Sequence, residues 1–322
     1  MPRHRVDVHS HYLGGTVAQV LRSGFSLAGG YRMSVRWSPE EAIAYMDRQG
    51  VATQILSTPW TFTGSEDDPD LAKRVARAVN EEYAELIAKY PGRFGAFAAL
   101  LGDSTDAMLE ELEHALDTLH LDGVMLNSNT QGRYLGFDWY EPLLAELNRR
   151  GVPVFLHPAD SPVIVDQLGF GRPSSVCEFT FDTARNVINA VYRGVFQRYP
   201  DLRLILAHCG GPLPTLGWRI AEHTTMGMGP DDADIDPAHV TEVLSKLYYE
   251  TALAGSRNSL LPTLEVTDTD HVLFGTDWPA APERTTVHNI ENLMTSGLLT
   301  DQQLEDVESG NARRLFPRLS LS

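Results

Sequence analysis

Residues 138–158, "DWYEPLLAELNRRGVPVFLHP", contain one complete unit of a repeating design. The first part has amphipathic helical spacing and stops at Gly151. The second part, "VPVFLH", is a short apolar, β-branched run that ends on His157. A run of this kind, apolar at nearly every position, suits a strand buried on both faces, as in a parallel sheet.

The same unit recurs in both directions along the chain. Strand-like runs are "HRVDVH" (4–9), "ATQILS" (52–57), "RFGAFAAL" (93–100), "GVMLN" (123–127), "LRLILAH" (202–208), "KLYYET" (246–251) and "HVLFGT" (271–276). Helical segments separate them. "SPEEAIAYMDRQG" has Ser38 as N-cap, Pro39 in the first turn and Gly50 as its stop. "DTARNVINAVYRGVFQRYP" reads as one helix with an apolar stripe at Val187, Ile188, Val191, Val195 and Phe196. Eight strand-then-helix units, joined by right-handed crossovers, predict an α/β fold of the (β/α)8 barrel type. No Gly-x-Gly-x-x-Gly follows an early strand, which argues against an open doubly wound sheet.

The 322 residues contain no Pro-, Gly- or Ser-rich linker, so one domain over 1–322 is expected. The stretches 13–38 and 158–179 are long connections, expected to lie over the catalytic mouth after strands one and five. Two cysteines, Cys177 and Cys209, make no disulfide framework, and the N-terminal stretch lacks a signal-peptide pattern, so a cytoplasmic setting is expected. No apolar run is long enough to span a bilayer. A formal net charge of −17 argues against nucleic acid and anionic membranes as partners, yet leaves room for an anionic small molecule held by local cations.

The histidines carry the chemistry. His9 and His11 end strand one, and their spacing places both on one side of the strand. His157 ends strand five, His208 ends strand six, and Asp277 follows strand eight in "LFGTDWP". Each lies at a strand's C-terminal end, where barrel enzymes keep their sites. Taken singly, each has a plain structural reading, such as a capped core histidine or a helix-capping aspartate. Of the 11 histidines, chance would scatter more into helices, as with His114, His120 and His239, so the joint placement predicts a metal site. Imidazoles with one carboxylate suit Zn2+ and also accept Mn2+. Strand four ends in Asn127 with no lysine or acid to bridge two ions, so one divalent metal ion is expected.

With these residues in place, the chain resembles the amidohydrolase superfamily, whose pattern is His-x-His, His, His and Asp after strands one, five, six and eight. More narrowly it is similar to the branch of 2-amino-3-carboxymuconate-6-semialdehyde decarboxylase and the 6-methylsalicylate and other aromatic acid decarboxylases. The likeness runs nearly end to end, through "AYMDRQGVATQILS", "KYPGRFGAFAALL", "DGVMLNSNTQGRYLG", "YPDLRLILAHCGG", "VLFGTDWP" and "NARRLF". The resemblance implies His9, His11, His157 and Asp277 as metal ligands and His208 as an acid/base group beside them. It also implies a homodimer.

The expected reaction is metal-dependent, non-oxidative decarboxylation of a small aromatic (ortho-hydroxybenzoate-like) or muconate-like acid. His208 and Asp277 both qualify as proton donor. The alternative is a metal-dependent hydrolase of a lactone, ester or amide, since the same five residues serve either chemistry. A third reading, a non-catalytic binding or scaffold barrel, sits poorly with an intact ligand set. Arg185 and Arg219 are candidates to grip a carboxylate, with a solvated helix arginine as the plain alternative for each. Trp278 is a candidate to stack on an aromatic ring, with packing as its alternative. Tyr12, Trp37 and Trp60 are weaker candidates of that kind, Glu178, Phe179 and Asp182 are further candidates to line the mouth, and Asp7 has no assigned role.

Overall fold

The computed structural model describes residues 4–22, 37–58, 70–102, 104–161, 171–226 and 235–321. Eight strands form one sheet in the order β1 to β8: β1 Arg5–His11, β2 Val51–Ser57, β3 Phe94–Ala99, β4 Gly123–Asn127, β5 Pro153–His157, β6 Arg203–Leu206, β7 Tyr248–Glu250 and β8 Val272–Leu273. Every neighbouring pair is parallel. The sheet closes on itself where Val8 N donates to Phe274 O at 3.0 Å and Asp277 N to His9 O at 2.8 Å. This is the expected (β/α)8 barrel.

Local chemistry sets the helix ends as the sequence suggests. The Ser38 hydroxyl accepts from Glu41 N, and Gly50 closes the helix Pro39–Gln49 at φ 65°, a left-handed value that favours glycine. Two apolar layers follow from the alternation of strand side chains. Val6, Val8, Ile55, Phe97, Met125, Phe155, Ile205, Ala207 and Leu273 fill the barrel interior. Ala312, Leu315, Phe316 and Leu319 join that cluster, so the C-terminal segment around "NARRLF" seals one end of the interior. The residues of opposite parity, such as Leu126, Leu156 and Leu206, pack outward against the helices.

Three details depart from the sequence reading. β6 ends at Leu206, and His208 lies beyond it in a tight turn at φ 55°, because its backbone N–H turns aside to donate to Glu250. The regular part of β8 is only two residues long, and the extended run to Thr276 is bonded to β1 and Asp7 instead. The helix that starts at Glu178 ends at Tyr192, where Gly194 at φ 66° breaks it before a short helix Val195–Arg198. The apolar stripe nonetheless packs inward, with Val187, Val191, Val195 and Phe196 buried and Ile188 partly so. Of the two long connections, 23–36 and 162–170 lie outside the described residues.

Candidate metal centre

β1 delivers two histidines because it carries an irregularity. Between Asp7↔Gln54 and Ser10↔Leu56, three steps on β1 match two on β2, which is a bulge. Val8 below it belongs to the barrel interior, and His9 above it also turns inward, its ring 4.9 Å from that of Phe155. His11 follows two residues on. Their rings are 4.9 Å apart, and each meets His157, at 5.2 and 5.0 Å. His208 closes the group at 5.1 Å from His9. Asp277, at φ 62°, brings its carboxylate 2.8 Å from His11 Nε2 and 3.3 Å from His9 Nε2. Left-handed backbone at His208, Cys209 and Asp277 is strain of the kind that concentrates at functional sites.

The hydrogen bonds decide which ring nitrogen carries the proton. His157 Nδ1 faces Pro158 O at 2.8 Å, and His208 Nδ1 faces Ala252 O at 2.8 Å. A carbonyl can only accept, so both rings hold their proton on Nδ1. His11 Nδ1 lies 3.2 Å from Ser57 Oγ, whose own proton is given to Ser10 O, so the hydroxyl accepts there too. His9 Nδ1 donates to Glu250 Oε1 at 2.8 Å. All four imidazoles therefore keep an Nε2 lone pair. For His9 and His11 these lone pairs sit 3.2 Å apart, with no proton between them.

Two lone pairs and a carboxylate meeting inside a buried pocket repel one another unless a cation lies among them. Ring nitrogens of His9, His11 and His157 lie within 4.8 Å of one another, and Asp277 adds an oxygen. This donor set, three neutral imidazoles and one carboxylate, fits a single divalent ion. Burial holds His9 and His157 well below the usual histidine range, which keeps them neutral as ligands require.

Glu250 is the functional residue that the sequence reading missed. It is fully buried at the end of β7, where it accepts from His9 Nδ1, His208 N and Ala252 N. Burial pushes its carboxyl up to about 7, against His208 and the backbone donors of His208 and Ala252. The available signal was an acid at a strand's C-terminal end, in "YYET". Asp7 now has a place as well. It faces away from the interior and accepts from His9 N, Gln54 Nε2, Thr276 N and Thr276 Oγ1, tying β1 to β2 and to the Asp277 turn.

The other candidates sit as follows. Arg185 is bonded to Asp182 at 2.7 Å, and buried Asp182 also gathers Ser128, Asn129 and Tyr134 from the connection after β4. Glu178 and Phe179 begin the following helix. Arg219 is exposed on the helix Leu213–His223 and has no hydrogen-bond or ion-pair partner among the described residues. Trp278 is 9% exposed and stacks on Tyr45, with centroids 4.6 Å apart. Tyr12 donates to Glu82 and packs edge-on against Trp37. Trp60 lies outside the described residues.

Comparison with known proteins adds a family. Residues 6–318 match the model of the family described as Amidohydrolase. A 6-methylsalicylic acid decarboxylase of Penicillium expansum is 32% identical over 320 residues, covering 98% of this chain and 97% of the relative. Among solved structures, an amidohydrolase II aligns with a TM-score of 0.85 at 25% identity, covering 98% of this chain and 99% of the other. A dihydroxybenzoic acid decarboxylase of Polaromonas, with bound manganese and 2-nitroresorcinol, aligns with a TM-score of 0.79 at 22% identity, over 98% and 97% of the two chains.

Proposed function

The chain belongs to the amidohydrolase family, and from that premise we propose that it is a carboxy-lyase that removes carbon dioxide from a small aromatic ortho-hydroxy acid without an oxidant. One observation carries the reading of the site: four imidazoles hold their proton on Nδ1 and keep Nε2 free, and the two closest lone pairs share a buried point with Asp277. A divalent metal held by His9, His11, His157 and Asp277 supplies a Lewis-acidic centre for the oxygens of the acid. We take zinc as the metal, with manganese, which the Polaromonas enzyme holds, as the alternative.

The remaining chemistry falls to the chain's own groups. The bond between ring carbon and carboxylate breaks, its electron pair stays on the ring carbon, and that carbon takes up a proton as carbon dioxide leaves. His208 is the better donor. Its Nδ1 is fixed on Ala252 O, so its Nε2 is the atom that can take a proton and pass it on. Asp277, whose carboxylate oxygen would be committed to the metal beside His9 and His11, is the weaker candidate. Arg185, Arg219 and Trp278 are the proposed substrate contacts, and of the two arginines Arg219 is the one without a partner among the described residues.

Exposed Val176 and Phe181, beside and on the helix Glu178–Tyr192, support a homodimer, which sedimentation would test. Among the described residues, no helix is long and apolar enough to cross a membrane. The reaction is tested by assaying metal-loaded protein for carbon dioxide release from a panel of hydroxybenzoates. Release from at least one member is expected. Turnover of lactones with no release across the panel would overturn the proposal.

A further inference from the structure

Asn127 stands beside the metal ligands, and its amide has no visible task. It ends β4 in unbroken register with β5, where Met125 pairs with Phe155 and Asn127 with His157. Partners in a parallel ladder project to the same face, and alternation repeats that face every second residue. Met125 and Phe155 belong to the barrel interior, so Asn127 and His157 occupy the next layer up on the interior side. Asn127 is 7% exposed, and its amide oxygen is buried with no hydrogen-bond partner among the described residues.

Leaving a buried carbonyl oxygen without a donor destabilises the fold. An apolar side chain of the same size would remove that cost, and the layer below already uses one, Met125. A bare acceptor beside the ligand histidines therefore suits a site in which something that enters supplies the donor. Asp277 and the unprotonated nitrogens of His9, His11 and His157 are acceptors too, so they cannot serve the Asn127 amide oxygen. A hydroxyl that arrives with the substrate supplies the donor that these neighbours lack.

We propose that Asn127 is a substrate-positioning residue whose amide oxygen accepts a hydrogen bond from a hydroxyl carried by the aromatic acid. This rests on the reading of the site given above and deepens it, since it makes a ring hydroxyl a requirement of recognition. A site built to bond a hydroxyl rejects the analogue that lacks it, because the buried acceptor is then left unpaired.

The test uses metal-loaded protein and two probes that cannot lose carbon dioxide, 2-nitrophenol and nitrobenzene. Binding is measured by calorimetry at mildly acidic pH, where the phenol keeps its proton. Wild-type protein is expected to prefer 2-nitrophenol. In Asn127→Leu, which keeps the volume and removes the acceptor, the preference is expected to shrink about tenfold, with metal content unchanged. Asn127→Asp, which keeps an acceptor oxygen in place, is expected to retain most of the preference and serves if the leucine variant does not fold. An equal preference in wild type and Asn127→Leu, or none in wild type, overturns the proposal. Carbon dioxide release by wild type reads the decarboxylase assignment separately. Its failure, together with a lost preference in Asn127→Leu, would sink the reaction and leave this contact standing.

Discussion

Glu250 accepts from His9 Nδ1 at 2.8 Å with both side chains wholly buried, so one carboxylate fixes the tautomer and the direction of the nearest imidazole. The same Oε1 accepts from His208 N at 2.6 Å, which couples the turn after β6 to the end of β1. An outer carboxylate of this kind raises the basicity of a ligand histidine. Glu250→Gln turns an acceptor oxygen into a donor amide at one of its three donors. Metal affinity is expected to fall about 10- to 100-fold, read by competition with a chromophoric chelator. An unchanged affinity would remove Glu250 from the site's support.

Gly275 leaves room for that carboxylate. A Cβ at position 275 would overlap Glu250 Oε2 and lie 3.0 Å from His9 Cβ. Gly275→Ala therefore has to displace either the carboxylate or β1. We expect a loss of about 1–3 kcal/mol in denaturant unfolding, with weaker metal retention on dialysis. A variant as stable and as metal-replete as wild type would show that the Glu250 side chain is free to move.

Metal removal should lower stability through linkage. An ion present at about a hundredfold over its dissociation constant stabilises the folded state by about 2.7 kcal/mol. Chelation is expected to reduce the melting temperature by several degrees, and re-addition of zinc or manganese to restore it. His157→Ala deletes a ligand and should remove the difference between loaded and stripped protein. A difference that survived in His157→Ala would relocate the metal.

Asp7 predicts a pH effect with a definite sign. Burial pushes its carboxyl from 3.8 up to about 7, against the donors from Thr276, Gln54 and His9. The folded state then binds this proton more tightly than the unfolded chain does. Stability from the group is fully present below 3.8 and is lost as pH rises towards 7. For metal-stripped protein, Asp7→Asn lacks this loss, so its stability relative to wild type should improve between pH 5 and 7. Urea titrations at several pH values measure it, and parallel curves would contradict the assignment.

The parts of the site that the sequence revealed are those written in local patterns. "VPVFLH" and "LRLILAH" gave strands because continuous apolar runs need burial on both faces, and the histidines at their ends marked the mouth. His9 and His11 were legible from spacing, and the strand–helix unit repeated eight times made the barrel legible too. Glu250 escaped because "YYET" looks like any strand end; its importance depends on His9, 241 residues away in the chain. The protein partners of Trp278 and Arg185, Tyr45 and Asp182, were equally illegible, because each pair meets only once the chain is folded.

The sequence by itself determined the element order, the barrel and the candidate metal-binding side chains, because periodicity and residue chemistry are local properties. Tertiary structure alone decided three things. The bulge between Asp7 and Ser10 brings His9 inward above Val8, although simple alternation would separate them. Groups far away in the chain, the Glu250 carboxylate, the Ser57 hydroxyl and the Ala252 carbonyl, choose the tautomers of His9, His11 and His208. The register of β4 on β5 sets Asn127 beside His157. Each of these depends on which strands become neighbours, and no short stretch of chain records its neighbours.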